Sequence, residues 1–456
     1  MNAMQVEKIS VIGLGKLGGT MAACFASTGF EVIGVDINQK SVDAINAGRT
    51  PVQETGLDEL IQANRQRLRA TTDTTEAVQN TQISFVIVPT PSDERGAFTL
   101  EYAKYAFKAL GKALALKSAY HVIVMTSTVL PGSTRYGLLP VLEQESGKKC
   151  GPDFGLCYNP EFIALGSVIR DFLNPDFYLL GQFDERSGDL LESVHNQVSQ
   201  NQAPVKRMSL ENAELAKISV NSFVTMKISF ANMLAEFCER LPDGDVDVVS
   251  DALGMDQRIG RKYLTGGLGF AGPCFPRDNV ALDFVGRALG VDSRLLRTND
   301  EYNQALIPRL LKQLESNLPK GSNVCVLGLA YKPLSHIVEQ SPGVQLCKQL
   351  GERGYRVIGH DPLASREAEP VLQYRALVTD VMEEALRDAD VIIVTTPDTI
   401  YRKLTAEAIL KYTAKCTVVD CWRVVSEWAE HPNINYVPVG VGKGTAETAE
   451  LLRDLW

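Results

Sequence analysis

Residues Lys8–Asp36 read KISVIGLGKLGGTMAACFASTGFEVIGVD. The β-branched run Lys8–Ile12 predicts a short strand. It enters Gly13-Leu14-Gly15-Lys16-Leu17-Gly18, and the apolar stretch Thr20–Ser27 beyond it predicts a helix. Glu31–Val35 predicts a second strand that ends at Asp36. Strand, glycine turn, helix, strand and acid in this order are the fingerprint of a dinucleotide-binding unit. The first glycine permits the tight turn, the second lets a pyrophosphate approach the backbone, and the third lets helix pack on strand. The helix N-terminus can then face the phosphates. Asp36 would accept hydrogen bonds from both adenosine ribose hydroxyls and repel a 2′-phosphate, which favours NAD over NADP.

Outward from this unit the pattern continues. Ile83–Val88 predicts a strand ending at Pro89-Thr90-Pro91, and His121–Met125 one ending at Thr126-Ser127-Thr128. In a parallel sheet the carboxyl ends of the strands line the ligand crevice. Thr90 and Thr128 can serve a ligand there, cap the following helices, or do both. The same grammar returns near the C-terminus. Asn323–Leu327 runs into Gly328, Arg356–Gly359 into His360-Asp361-Pro362, Val391–Thr395 into Thr396-Pro397, and Val418-Val419 into Asp420. The pairs VIGLG/VLGLA, GVDI/GHDP and FVIVPTP/VIIVTTP read as two copies of one α/β unit. The second copy shows a single glycine at its first turn, so it need not hold a dinucleotide and can hold another nucleotide. Between the copies, Glu211 to about Arg240 lacks Gly and Pro and predicts one long helix. Its apolar residues surround most of the circumference, as in a helix buried on several sides. Such a helix would link domains and form a subunit contact. Lys217 and Asn221, four apart on it, share a face within apolar surroundings.

At 456 residues the chain is too long for one core. Hydrophobic residues are 45% and charged residues 22%, values of a globular enzyme. The net charge of -9 comes without a Lys/Arg block, which argues against nucleic acid and anionic membrane as partners. The polar start lacks the apolar core of a signal peptide, and no run of 18 apolar residues predicts a membrane span. Nine cysteines without a CxxC pair and five histidines without ligand spacing point away from disulfides and metal and toward a reducing cytoplasm.

Gly266–Asp278 reads GGLGFAGPCFPRD. Cys274 lies in a glycine- and proline-rich run that can fold tightly round a ligand. A thiolate there can attack an electrophilic carbonyl, and Asp278, four residues on, can move protons or orient a water. The plainer alternative is a glycine turn with a structural cysteine.

These motifs together resemble the nucleotide-sugar 6-dehydrogenases, the UDP-glucose/GDP-mannose dehydrogenase family. The resemblance runs through GLGKLG with Asp36, PVQETGL (51–57), VPTP (88–91), STV (127–129), NPEF (159–162), NAELAK (212–217) with Asn221, GFAGPCFPRD (269–278) and GLAYKP (328–333). It implies two Rossmann-like doubly wound domains joined by a long helix in an all-α linker domain. The implied boundaries are 1–203 for the NAD domain, 204–300 for the helical linker and dimerisation domain, and 301–456 for the nucleotide-sugar domain. It implies a homodimer through the central helix and a two-step oxidation of a sugar C6 alcohol to the carboxylate, with UDP-glucose the first choice of substrate. Cys274 would form the thiohemiacetal and thioester, Lys217 and Asn221 would hold the oxyanion, Asp278 would take protons, Glu161 would activate water, and Thr128 would place water or cofactor. Cofactor contacts are implied at Gly13, Gly15, Lys16, Leu17, Gly18, Asp36, Lys40, Thr90, Thr128 and Arg277. Substrate contacts are implied at Phe162, Lys217, Asn221, Tyr263, Gly269, Phe270, Gly272, Lys332 and Arg423, with Arg258 reaching a neighbour's site.

Some positions depart from the family pattern. Ala271, Pro273 and Arg277 replace the usual Gly, Ser and Lys and keep shape and charge roughly intact. Leu165 stands where a glutamate is common. His336, Ile337 and Glu339 stand where an aspartate pair and an arginine are common, on the cofactor side of the family's cleft. Two other readings fit parts of the pattern: a single-step hydroxyacid dehydrogenase, which needs no cysteine, and a non-catalytic nucleotide-binding homologue.

Overall fold

The computed structural model describes residues 6–52, 54–163, 167–314 and 318–455. The chain forms two compact units, Met1–Val220 with Phe284–Val291, and Asn221–Asp283 with Asp292–Trp456. Each contains a doubly wound sheet.

In the first unit the strands are β1 (Lys8–Ile12), β2 (Glu31–Val35), β3 (Leu68–Thr71), β4 (Ile83–Val86), β5 (Val122–Met125), β6 (Gly155–Tyr158), β7 (Tyr178–Gln182) and β8 (Val205–Ser209). Their order is β3-β2-β1-β4-β5-β6-β7-β8. All neighbours run parallel except β6 and β7. Ile9 and Val11 of β1 point into one apolar cluster with Val122 and Val124, whereas Ile12 joins Ile123 and Met125 in another. Both faces are therefore covered, which is why these strands read as unbroken apolar runs rather than alternating ones. The order reverses between β1 and β4. That switch point opens a crevice at the carboxyl ends of the strands.

The second unit repeats the plan with β9 (Asn323–Leu327), β10 (Arg356–His360), β11 (Leu377–Thr379), β12 (Val391–Val394), β13 (Cys416–Asp420) and β14 (Ile434–Pro438). The order is β11-β10-β9-β12-β13-β14, parallel throughout. Again Val324 and Val326 face one cluster while Cys325 and Leu327 face the other.

The two first turns match more closely than their sequences suggest. Gly13 has φ +100° and Gly328 has φ +114°, a region only glycine enters freely. Gly13 N–H donates to Val35 O at 2.7 Å, and Gly328 N–H donates to His360 O at 2.9 Å. A Cβ on Gly18 would overlap the Gly13 carbonyl, and a Cβ on Gly343 would overlap the Gly328 carbonyl. The third glycine of the fingerprint thus survives in the second copy as Gly343. It stands fifteen residues after Gly328 instead of five, because a loop precedes the helix Pro342–Glu352. A fixed-spacing motif could not find it.

The predicted long helix spans Leu210–Arg240. In the isolated chain it is not covered all round. Phe223, Phe230 and Phe237, seven residues apart, are 65%, 48% and 58% exposed. Among the described residues no helix is long and apolar enough to cross a membrane.

Candidate active site

In the first unit, the glycine turn leads straight into the helix Lys16–Ser27. A Cβ on Gly15 would meet nothing within 4 Å, so the backbone here has room for a phosphate group to approach. Asp36 follows β2. Its Oδ2 accepts the Leu14 N–H at 2.7 Å and its Oδ1 accepts the Asn38 N–H at 2.8 Å. Each oxygen keeps acceptor capacity for a ribose hydroxyl. Asp361, the counterpart in the second unit, accepts four backbone N–H groups, from Leu329, Ala330, Leu363 and Ala364. It is committed to its own chain. Asp36, at the end of β2 beside the glycine turn, thus keeps the acceptor capacity that Asp361 has spent. Lys16 and Lys40 are exposed nearby, and Leu17 is half-buried.

The ends of β4 and β5 are strapped together. Ser127 Oγ accepts the Val88 N–H at 2.9 Å and donates to Val88 O at 2.6 Å. Thr90 Oγ1 donates to Thr128 O at 2.7 Å. The two threonines singled out from sequence thus meet at the crevice, and Thr90 is spent in part on holding the Thr128 loop.

Beyond β6, Asn159 pins the NPEF turn. Its N–H donates to Met125 O at 2.8 Å, its Nδ2 to Leu179 O at 3.2 Å, and its Oδ1 pairs with Nε2 of the fully buried His195 at 2.8 Å. Burial pushes the His195 imidazole down to about 3, so it is neutral at ordinary pH. Glu161 follows. Burial pushes its carboxyl up to about 8, opposed by the charge of Lys217. Its Oε1 is buried and has no hydrogen-bond partner among the described residues. Lys217, 7% exposed, donates to Glu161 O at 2.5 Å and lies 4.2 Å over the Phe162 ring. The ammonium is thus held between a carbonyl and an aromatic face. Leu165 lies outside the described residues.

In the second unit, Cys274 immediately precedes the helix Phe275–Ala288. It is exposed, whereas the other eight cysteines are buried. Burial pushes Cys24, Cys150 and Cys157 up to about 12, leaving them inert thiols at neutral pH. Cys274 O accepts the Asp278 N–H at 2.8 Å, so the carboxylate stands one helical turn from the thiol residue. Asp278 is 1% exposed and its Oδ2 accepts Asn221 Nδ2 at 2.6 Å. Arg277 Nε is 3.6 Å from Asp278 Oδ1.

The glycine run before Cys274 is held by side chains that sequence reading passed over. Asn232 accepts the Gly267 N–H at 2.7 Å and donates to Leu268 O at 3.2 Å. Asn303 accepts the Phe270 N–H at 2.8 Å and donates to Phe270 O at 3.0 Å, and a Cβ on Gly269 would strike it. Gly272 N–H donates to Glu339 O at 3.0 Å, and Gly272 lies against the Tyr331 ring. Glu339 thus contributes its carbonyl to the cysteine loop while its side chain is exposed. Arg423 donates to Asp247, Gly266 O and Val439 O. Its guanidinium clamps the loop from the end of β13. Tyr263 is half exposed, with its ring 6.2 Å from Phe275. Arg258 projects into solvent and pairs with Asp256 at 2.6 Å. Lys332 Nζ is 5.6 Å from the Tyr331 ring centroid. A buried asparagine in the apolar stretch FANML was the one sequence signal for Asn232. Nothing local marked Asn303, which acts across 33 residues.

Comparison with known proteins covers most of the chain. Residues 7–199 match the NAD binding domain of the UDP-glucose/GDP-mannose dehydrogenase family, residues 211–305 its central domain, and residues 325–427 its UDP binding domain. A UDP-glucose 6-dehydrogenase of Haloferax volcanii is 37% identical over 396 residues, covering 85% of this chain and 91% of that one. A GDP-mannose 6-dehydrogenase of Pseudomonas putida is 31% identical, covering 88% and 93%. The solved UDP-glucose dehydrogenase of Pyrobaculum islandicum superposes with a TM-score of 0.84 at 34% identity, covering 96% and 99%. With all three domains matched in order, the chain belongs to the UDP-glucose/GDP-mannose dehydrogenase family.

Proposed function

We propose that this protein oxidises the C6 alcohol of a nucleotide sugar to the carboxylate with NAD, in two successive steps, and that the sugar is UDP-glucose. The exposed Cys274 thiol carries this reading. Of nine cysteines it alone is accessible, and it stands one turn from the Asn221–Asp278 pair. A single-step alcohol dehydrogenase needs no such thiol. NAD, when bound, accepts the hydride removed from C6 in each oxidation. The chain's own groups do the remainder. Asp278 takes the hydroxyl proton, through a water where needed. Cys274 Sγ adds to the C6 aldehyde carbonyl, and the second oxidation leaves a C6–S thioester. Lys217 and Asn221 donate to the oxyanion that develops at C6. Glu161 orients the water whose attack releases the uronate and returns the thiol. The proposed division of labour follows the boundaries 1–203, 204–300 and 301–456, with Phe162, Tyr263, Gly269, Phe270, Gly272, Lys332 and Arg423 serving the substrate and Arg258 serving a partner copy.

The test is an assay of NADH released across a panel of UDP-, TDP- and GDP-linked sugars. Two NADH per sugar consumed are expected, with the highest kcat/KM for UDP-glucose. NADP should perform worse, because Asp36 opposes a 2′-phosphate. One NADH with a free aldehyde or ketone would overturn the four-electron reaction in favour of the single-step hydroxyacid type. No turnover on any sugar would favour a non-catalytic role.

We further propose a homodimer through the long helix, in a cell's reducing cytoplasm. Phe223, Phe230 and Phe237 support it, since a seven-residue repeat of exposed aromatics lines one side of a helix. Sedimentation equilibrium should return twice the chain mass. Replacing Phe230 with glutamate should shift the species toward monomer, and a monomeric wild type would remove the proposal.

A further inference from the structure

Behind the Asn221–Asp278 pair lies a second, largely buried polar cluster that none of the proposed chemistry uses. It lies entirely within the second unit. Thr225 and Asn279 are 0% exposed. Thr225 stands four residues after Asn221, hence on the same face of its helix one turn on. Asn279 directly follows Asp278. Thr225 Oγ1 accepts Asn279 Nδ2 at 3.0 Å and Asn299 Nδ2 at 3.0 Å, and it donates to Ser222 O at 2.7 Å. That exhausts a hydroxyl's one donor and two acceptor places. Asn279 Nδ2 also donates to Asp300 Oδ1 at 2.9 Å. Asn299 and Asp300 belong to the helix Arg294–Gln313. Three helices therefore meet in one satisfied network.

An apolar cluster of the same size would bind these helices together at no loss of stability, because buried hydrogen bonds add little net energy. Their distinguishing property is direction. Asn221–Asp278 and Thr225–Asn279 form two rungs between the same pair of helices, and two rungs fix both rotation and register where one fixes neither. Asp300 and Asn299 brace the second rung from the third helix. Partial burial pushes the Asp300 carboxyl up to about 6, and its hydrogen bond from Asn279 opposes that rise.

We propose that Asn279, framed by Thr225, Asn299 and Asp300, is a positioning residue that sets the Asp278 carboxylate and the adjoining Cys274 in their working geometry. This rests on the reading of Cys274 and Asp278 given above. Asn279→Leu keeps the side chain's shape and removes its hydrogen bonds. In the full-length enzyme with NAD and UDP-glucose, kcat should fall by about tenfold to a hundredfold, the scale of an ångström-sized misplacement. KM for the sugar should change little, since ground-state binding does not depend on this rung. Asp300→Asn keeps an acceptor oxygen in place and should retain near wild-type kcat, whereas Asp300→Leu should behave like Asn279→Leu. Should Asn279→Leu fail to fold, Asn279→Ser carries the same expectation. A folded Asn279→Leu (or Asn279→Ser) with wild-type kcat overturns the proposal. So does an equal loss in Asp300→Asn and Asp300→Leu, which would point to charge or packing instead of the hydrogen bond. The wild type assayed alongside keeps the two ideas apart. Its failure to release two NADH would sink the reaction, while a normal wild type beside an unimpaired variant sinks only the positioning role.

Discussion

Cys274→Ala is expected to abolish uronate formation, by on the order of 10⁴-fold or more, the scale of removing a covalent nucleophile. The reason is chemical. Without a sulfur to add to C6, the aldehyde hydrate is the only route to a second oxidation, and nothing holds the aldehyde in place. The protein should fold normally. Cys274 is exposed, and truncating an exposed side chain typically changes stability by less than about 0.5 kcal/mol. Binding of the nucleotide portion should persist too, because Asn232, Asn303 and Arg423 hold the glycine loop and remain in Cys274→Ala. Isothermal titration with UDP-glucose and product analysis by mass spectrometry give the two readouts. Iodoacetamide provides an independent check. It should label Cys274 first, since the remaining thiols are buried, and substrate should protect it. Wild-type uronate production by Cys274→Ala would remove the thioester from the mechanism.

What the sequence revealed and what it hid divide along a physical line. The strand–glycine–helix–strand–acid unit was legible because each of its parts is a local demand. A turn at φ +100° needs Gly13, and a covered parallel strand needs an unbroken apolar run. The second Rossmann-like unit was legible through its strands, yet its third glycine was not. Gly343 packs on Gly328 as Gly18 packs on Gly13, but an inserted loop breaks the spacing. The short strands β3, β6, β7, β8, β11 and β14 went unmarked. All six are three to five residues long, and β8 carries Lys206 and Arg207, too little pattern for a period to show. The long helix was predicted from its lack of Gly and Pro, and it is there. Its expected burial on several sides meets three exposed phenylalanines in the single chain. Reactive side chains such as Cys274 and Asp278 announce themselves by type and motif. The asparagines that hold them do not, because Asn232, Asn279 and Asn303 act through partners 21 to 54 residues away.

Lys217 is the site where the loss of one side chain should be felt twice. Lys217→Ala should lower kcat by about a hundredfold to a thousandfold, the usual cost of removing a preorganised donor from an oxyanion. The residue is prepared for that task. The residue is 7% exposed and its ammonium is anchored on Glu161 O and laid over Phe162, so it needs little reorganisation when charge develops. The second effect falls on Glu161. Burial raises that carboxyl to about 8 even against the opposing charge of Lys217. A carboxyl with a raised value is protonated below it, so a step that needs the carboxylate should speed up as pH rises through about 8. Deleting the ammonium removes a charge that stabilises that carboxylate and should move the rise to still higher pH. Lys217→Arg keeps the charge but not the placement. It should lose rate while leaving the pH at which activity rises closer to wild type. Comparing kcat against pH for wild type, Lys217→Ala and Lys217→Arg separates the two contributions. If the rise stays where it is in Lys217→Ala, Glu161 is not the group that titrates, and its assignment to the hydrolytic water fails even if Lys217 keeps its place at the oxyanion.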